Sequence, residues 1–372
     1  MNFEELKNPP KKYLPTPLRS GEAKPDTQVI KKQISDIAQA DIGGRFVKCL
    51  GEKYQQKNLR YEKTEAPVKG GNTVGNEEFN GQNYHFYYEL NPFCVNTIDT
   101  EVVEDFIRDT HKKHKDTMGE NFVDIADFFA DPPQALRNGL PWSDRLLWLY
   151  HKTYGMPLKG NLKCLFFDEG EYRRVRYCYW KLIRELFAES YALCGFHKRN
   201  YPDAVGRIGM LVAEGQINYE VLVLDTIESG WLRQTDGELK EANDICDRML
   251  AVMETLEAAQ IQYHLGDSRI MQRHATVEDG RLIIGTQRYS VVVVPPCDCL
   301  GDITCNLLEE FKRQGGKIIF VDEIPKYLAG FESDRFKRIS EGCFTVSTDT
   351  LIETLPEEIK KIKKCGKRPK TT

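Results

Sequence analysis

The sequence lacks any apolar run long enough to cross a bilayer, and its opening MNFEELKNPP has no apolar core of a signal peptide. A cytoplasmic chain with no membrane partner is therefore expected. It also lacks a strong charge of either sign. A net charge of -4 over 372 residues, spread along the chain, leaves out the electrostatic footprint of a nucleic-acid binder. The one basic run, KKIKKCGKRPK at the C-terminus, reads as a solvated tail, with an anionic partner as the alternative. Internal repeats and low-complexity tracts are absent.

Metal-ligand spacing is missing as well. Most of the 11 cysteines lie singly inside apolar or helical patterns, as Cys49, Cys164, Cys178 and Cys246 do, where cysteine behaves as a small hydrophobe. Cys297 and Cys299, in CDC, are separated by one residue, too tight for the usual zinc knuckle, and no second pair completes four ligands. With Cys305 they read as loop thiols rather than a metal site.

What is present is enough apolar material, 41% of residues, for one large core or two ordinary ones, and two is the expectation at this length. The second half is regular. YEVLVLD, IQYHL, YSVVVVPP, KIIFVD and CFTVS are short apolar runs of strand length, of the kind buried on both faces of a parallel sheet. Between them, LKEANDICDRMLAVMETLEAAQI repeats apolar residues every three or four positions, and ITCNLLEEFKRQGG ends in paired glycines, so both read as helices. TLIETLPEEIKKIKK supplies a last helix, interrupted near Pro356. This alternation predicts an α/β fold: a Rossmann-like or flavodoxin-like doubly wound parallel sheet over 201–372. The turn DTIESGW lacks the glycine spacing that lets backbone amides approach a pyrophosphate, and no glycine-flanked nucleophile sits on an elbow. No dinucleotide cofactor is expected.

The first half is less regular. TQVIKKQISDIAQADIGGRFVKC reads as an amphipathic helix feeding a short strand, and VVEDFIRDTHKKHKDTMG as a helix with Val103, Phe106, Ile107 and Thr110 inward. His111 and His114 are three apart, but Lys112, Lys113 and Lys115 crowd them, so an exposed polar face is preferred to a metal pair. Residues 50–82 carry few apolar side chains at regular spacing and read as a long mobile loop. Two aromatic-rich helices follow, with Trp148, Tyr177, Trp180, Leu182, Ile183, Leu186 and Phe187 as a core stripe. In DFFADPPQ a buried strand is stopped by two prolines, which puts Asp131 at a strand tip, the place where α/β barrels carry their active sites.

FEELKNPPKKYLPTP, QISDIAQADIGGRFV, NTIDTEVVEDFIRDTHKKHKDTMGENF, GLPWSDRLLWLYHKTYG, VRYCYWKLIRELFAES and YEVLVLDTIESGW through VVVVPP occur in this order. Together they resemble the α-L-rhamnosidase-like glycoside hydrolase family and its relatives. The resemblance implies a catalytic (β/α) barrel followed by a Rossmann-like module. Measured against that pattern the chain is internally shortened, near 50–61 and between 192 and 206. Residues 1–200 are thus expected to be an incomplete or remodelled barrel remnant.

The resemblance also implies site residues. At the strand tip the family pattern has a Thr-Asp-Glu-Pro core, so Asp131 matches a catalytic carboxylate while Pro132 stands where the glutamate would be. Asn96 occupies a usual aspartate position in VNTID, and Lys112 follows His111 where a glutamate is expected. Trp142, Tyr84, Asn96 and His111 are the expected carbohydrate contacts, and calcium is implied by the resemblance alone. Glycoside hydrolysis needs two carboxylates, so losing one removes the reaction. The expectation is a homologue whose hold on carbohydrate is weak or lost and whose catalysis is absent. The alternative is a non-enzymatic interaction protein that forms homo-oligomers through the second-half module.

Overall fold

The computed structural model describes residues 54–112, 116, 139–197, 219–235, 240–357 and 359. The helix and strand expected before residue 54, the strand tip at Asp131 and the shortened region after residue 197 lie outside the described residues. The chain divides into two compact units. The first comprises Met1–Arg60, Tyr88–Asp144 and Ile183–Glu214, the second Tyr61–Tyr87, Arg145–Leu182 and Gly215–Thr372.

Strands β1 (Gln55–Thr64), β2 (Thr73–Phe79) and β3 (Gln82–Val95) are followed by helix α1 (Thr100–Ile107), a π-helical turn at Arg108–Lys112 and strand β4 (Leu140–Trp142). The sheet order is β2-β3-β1-β4. Residues 50–82 therefore hold two strands where a loop is expected. The reason is visible in β1, whose buried positions Gln56 and Asn58 are amides bonded to each other at 3.0 Å. Alternation of apolar side chains, the usual signature of a half-buried strand, is absent there.

In the first unit, β1 and β4 pair antiparallel, with Lys57 opposite Trp142 and Leu59 opposite Leu140. Gly139 leads into β4 at φ +110°, and a Cβ there would meet the Leu59 carbonyl oxygen at 2.7 Å, so both conformation and space demand glycine. Helix α1 turns Val103 and Ile107 inward as its periodicity predicts, and Phe106 meets Tyr54 edge-on at 5.4 Å.

In the second unit, helix α2 (Leu146–Tyr154) and a 3-10 turn (Leu162–Leu165) precede helix α3 (Tyr172–His197), which runs on into the first unit. Trp148 is expected in the core but is 56% exposed. Leu146 and Tyr150, four residues apart, take the inward face of α2, and Trp148 lies roughly 200° round the helix from Leu146.

The rest of the second unit is built on β5 (Val221–Leu224), α4 (Ile227–Arg233), α5 (Lys240–Ala258), β6 (Tyr263–Gly266) and α6 (Ser268–His274). An antiparallel meander follows, β7 (Ala275–Glu278), β8 (Arg281–Ile284) and β9 (Gln287–Tyr289). Then come β10 (Val291–Val294), β11 (Cys299–Leu300), α7 (Asp302–Arg313) and β12 (Lys317–Val321). The described chain closes with β13 (Tyr327–Leu328), β14 (Phe331–Glu332), α8 (Arg335–Ser340), β15 (Phe344–Val346) and α9 (Leu351–Thr354). Five of these strands form a parallel sheet in the order β15-β12-β10-β5-β6.

Continuous apolar runs arise because both faces of this sheet are covered. Val221, Val223, Val291, Val293, Ile319 and Val321 pack on Val252 and Leu256 of α5 and on Leu351 of α9. Their alternates, Leu222, Leu224, Val292, Val294, Ile318 and Phe320, pack on Met271 of α6, Leu308 and Phe311 of α7, and Phe336 of α8. Each such fully buried side chain contributes roughly 1.5–3 kcal/mol. The paired glycines end α7 as expected. Gly315, at φ +88°, donates to the Lys312 carbonyl and Gly316 to the Phe311 carbonyl, a Schellman cap. Among the described residues no helix is long and apolar enough to cross a membrane.

Candidate functional site

Two of the expected site residues meet in the first unit. Asn96 is buried at the end of β3, and its Nδ2 donates to the main-chain oxygen of Trp142 at 3.2 Å. Its backbone N–H bonds the Tyr54 carbonyl, and its own carbonyl accepts from Asp99 N–H, which fixes the entry to α1. Trp142 is 2% exposed, so its indole offers no face to solvent. Ser143 donates to Asp99 Oδ2 at 2.8 Å, and the Tyr54 hydroxyl donates to Asp109 Oδ2 at 2.6 Å.

Lys57 pairs with Asp144 and lies over the Tyr88 ring. Burial pulls the ammonium down, but the Asp144 bond and charge outweigh it and hold the pKa above the usual lysine range. Asn96 Oδ1 is buried without a hydrogen-bond donor among the described residues. His111 sits in the π-helical turn with its side chain outside the described residues, and Asp131 is outside them altogether.

Tyr84 belongs to the second unit, where it is buried beneath a group of rings. Tyr61, Phe79 and Phe167 lie 5.9, 6.0 and 5.0 Å from its centroid, Phe79 stacks on Phe167 at 5.0 Å, and Lys63 Nζ is 6.0 Å away. The β2–β3 register places these residues together, because Phe79 and Tyr84 flank the Asn80-Gly81 turn. Tyr61 is 37% exposed and Phe79 and Phe167 are half-buried, so Tyr84 supports rings that do reach the surface. Partly exposed rings present π faces of negative potential, a surface on which a pyranose C–H face can stack. Trp148, with Lys152 Nζ 4.7 Å from its ring, is a second exposed aromatic of this unit. Its helical phase relative to Leu146 and Tyr150 was the signal available for it.

In the parallel sheet, β5 and β10 are neighbours whose following connections leave in opposite directions, which makes their C-terminal ends the natural crevice. The chain's own side chains fill it. Ser229 Oγ donates to the Cys299 carbonyl at 2.9 Å and accepts from the N–H groups of Asp298 and Cys299. Arg233 bonds Asp298 at 2.6 Å, and Tyr177 donates to Glu228 at 3.2 Å. A Cβ on Gly301 would meet that tyrosine oxygen at 2.8 Å. Burial pushes the thiols of Cys297 and Cys299 well above the usual cysteine range, so both are held as unreactive S–H groups.

Calcium, implied by the resemblance, needs six to eight oxygen ligands. Among the described residues no group of three or more His, Cys, Asp or Glu side chains is placed to hold a metal. A comparison with protein-family models finds no match, and comparisons with curated proteins and with solved structures find none either.

Proposed function

We propose that this chain is a carbohydrate-binding homologue of the α-L-rhamnosidase-like glycoside hydrolases that no longer hydrolyses glycosides. The ring surface formed by Tyr61, Phe79 and Phe167 over Tyr84 carries the reading, because it offers stacking faces beside a lysine. On this reading the sheet β2-β3-β1-β4 stands where the family has barrel strands. The five-stranded parallel sheet, in the order β6-β5-β10-β12-β15, is then the flavodoxin-like module that follows. Asp131 beside Pro132 is a remnant, since one carboxylate cannot both protonate the leaving oxygen and activate water.

Isothermal titration calorimetry with L-rhamnose and an aryl α-L-rhamnoside tests the binding. The expected result is saturable heat that falls at least about tenfold in affinity, or 1.4 kcal/mol, in Tyr61→Ala. Equal binding by that variant removes the support.

A second reading makes the parallel-sheet module an oligomerisation element. It is favoured by the edge strand β6 and the helix after it, where Leu265 and Ile270 are 51% and 52% exposed. Light scattering on the parent chain and on Leu265→Glu distinguishes it: an oligomer that the substitution dissolves supports the reading, and a monomer at high concentration ends it.

A further inference from the structure

One face of the sheet formed by β2, β3 and β1 carries an arrangement unconnected with carbohydrate binding. Thr73 Oγ1 lies 3.0 Å from His85 Nε2, and His85 Nδ1 lies 3.0 Å from Glu62 Oε1. The three side chains come from β2, β3 and β1, all within the second unit. Strand periodicity puts them on the face opposite Tyr61, Tyr84 and Phe86, since Thr73 pairs with Tyr87 and His85 is two residues before it. His85 is only 7% exposed and stacks on Tyr87 at 5.2 Å, which fixes its ring plane. Hydroxyl, imidazole and carboxylate in line is the order of a nucleophile, its base and the group that orients the base.

We propose that Thr73, His85 and Glu62 form an acyl-transfer centre acting on esters of small carboxylic acids. In the tautomer whose Nδ1 hydrogen goes to Glu62, Nε2 faces the Thr73 hydroxyl as an acceptor. That hydroxyl also donates to the Gly70 carbonyl oxygen, so attack requires its hydrogen to turn from that carbonyl to Nε2. The turn before Thr73 is open at Gly70 and Gly71, which take φ +89° and +58° and where a Cβ would touch nothing within 4 Å. The turn itself is held down, because the Asn76 side chain accepts from Val68 N–H at 3.0 Å and donates to Val68 carbonyl at 2.8 Å.

The atoms balance without any further reactant than water. Thr73 Oγ bonds to the ester carbonyl carbon as its proton passes to Nε2, and the carbon–oxygen bond to the alcohol breaks as Nε2 returns that proton to the leaving oxygen. Water then attacks the acyl-threonine by the same path, releasing the acid and restoring the hydroxyl. Thr73 and His85 touch the reacting atoms, whereas Glu62 is a positioning residue.

Incubating the full chain with 4-nitrophenyl acetate is the test. The expected result is a burst of nitrophenolate and, by peptide mass spectrometry, an acetyl group on Thr73. Thr73→Ser keeps the burst and Thr73→Val loses it, with matched thermal melting showing that both remain folded. His85→Gln lowers the rate by about 10²–10⁴-fold. Glu62→Gln lowers it as well, and Glu62→Asp restores part of it, a rescue that a mere strand brace would not produce. Absence of a burst, acetyl found only on lysines, or a Thr73→Val variant as fast as the parent each overturns the proposal.

Discussion

Replacing Arg176 with methionine removes a guanidinium that is almost completely enclosed while keeping much of its aliphatic stem. In the parent, Nε donates to the Cys164 carbonyl at 2.9 Å and Nη1 to the Leu232 carbonyl at 3.0 Å, so one side chain ties the 3-10 turn to helix α4. Nη1 also lies 2.8 Å from Asp168, but that carboxylate is 66% exposed and returns to water when the arginine goes. Burial draws the guanidinium below the usual arginine range and Asp168 only partly restores it, so some desolvation cost is relieved by the change.

The larger effect is the two buried carbonyls that lose a donor, at about 1–3 kcal/mol each. A net loss of about 2–4 kcal/mol follows, which lowers the melting midpoint by about 4–16 °C for a unit of this size. Arg176→Lys should recover little, because an ammonium cannot reach two divergent carbonyls with a planar fork. Asp168→Asn should cost under about 1 kcal/mol, as an exposed partner does. Calorimetric or denaturant melting reads all three. An Arg176→Met variant as stable as the parent, or an Asp168→Asn loss as large as the methionine's, refutes the reasoning.

Gly316→Ala puts a Cβ 2.2 Å from the Phe311 ring in a closed core and should cost about 1–3 kcal/mol in a urea melt; an unchanged midpoint contradicts the packing described. Glu220 is held below the usual glutamate range, first by the Ser290 hydroxyl and then by Arg281. Its folded-state value is thus below the unfolded one, so its contribution is complete above pH 4.5 and is lost as pH falls through the lowered value. The stability gap between parent and Glu220→Gln should shrink on acidification below that point, and a gap that widens reverses the sign. A thiol reagent on the native chain should modify exposed Cys246 long before Cys297 and Cys299, measured by peptide mapping; equal labelling contradicts their burial.

Legibility in the sequence followed burial symmetry. Val291–Val294 and Lys317–Val321 read correctly because a strand covered on both faces needs no alternation, only a short apolar run. Strand β1 did not, since amides fill its buried positions Gln56 and Asn58. Its partner hairpin announced itself through Asn80-Gly81, both at positive φ, and the β7–β8 hairpin through Asp279-Gly280 in the same way. Those turn pairs were the signals that apolar periodicity passed over. Trp148 misled because an aromatic in a helix is usually core, and only the phase relative to Leu146 and Tyr150 puts it outside. Tyr84 enters through the family resemblance, yet the rings that reach solvent are those it supports. Thr73, His85 and Glu62 come from three strands, so no local spacing could have joined them.

The most direct test of the functional account is one titration of the chain with 4-nitrophenyl α-L-rhamnoside, following heat and nitrophenolate together. The account predicts saturable binding heat weakened by Tyr61→Ala, with no nitrophenolate released. Steady release by the parent that vanishes in Asp131→Asn, or no binding heat at all, would contradict it.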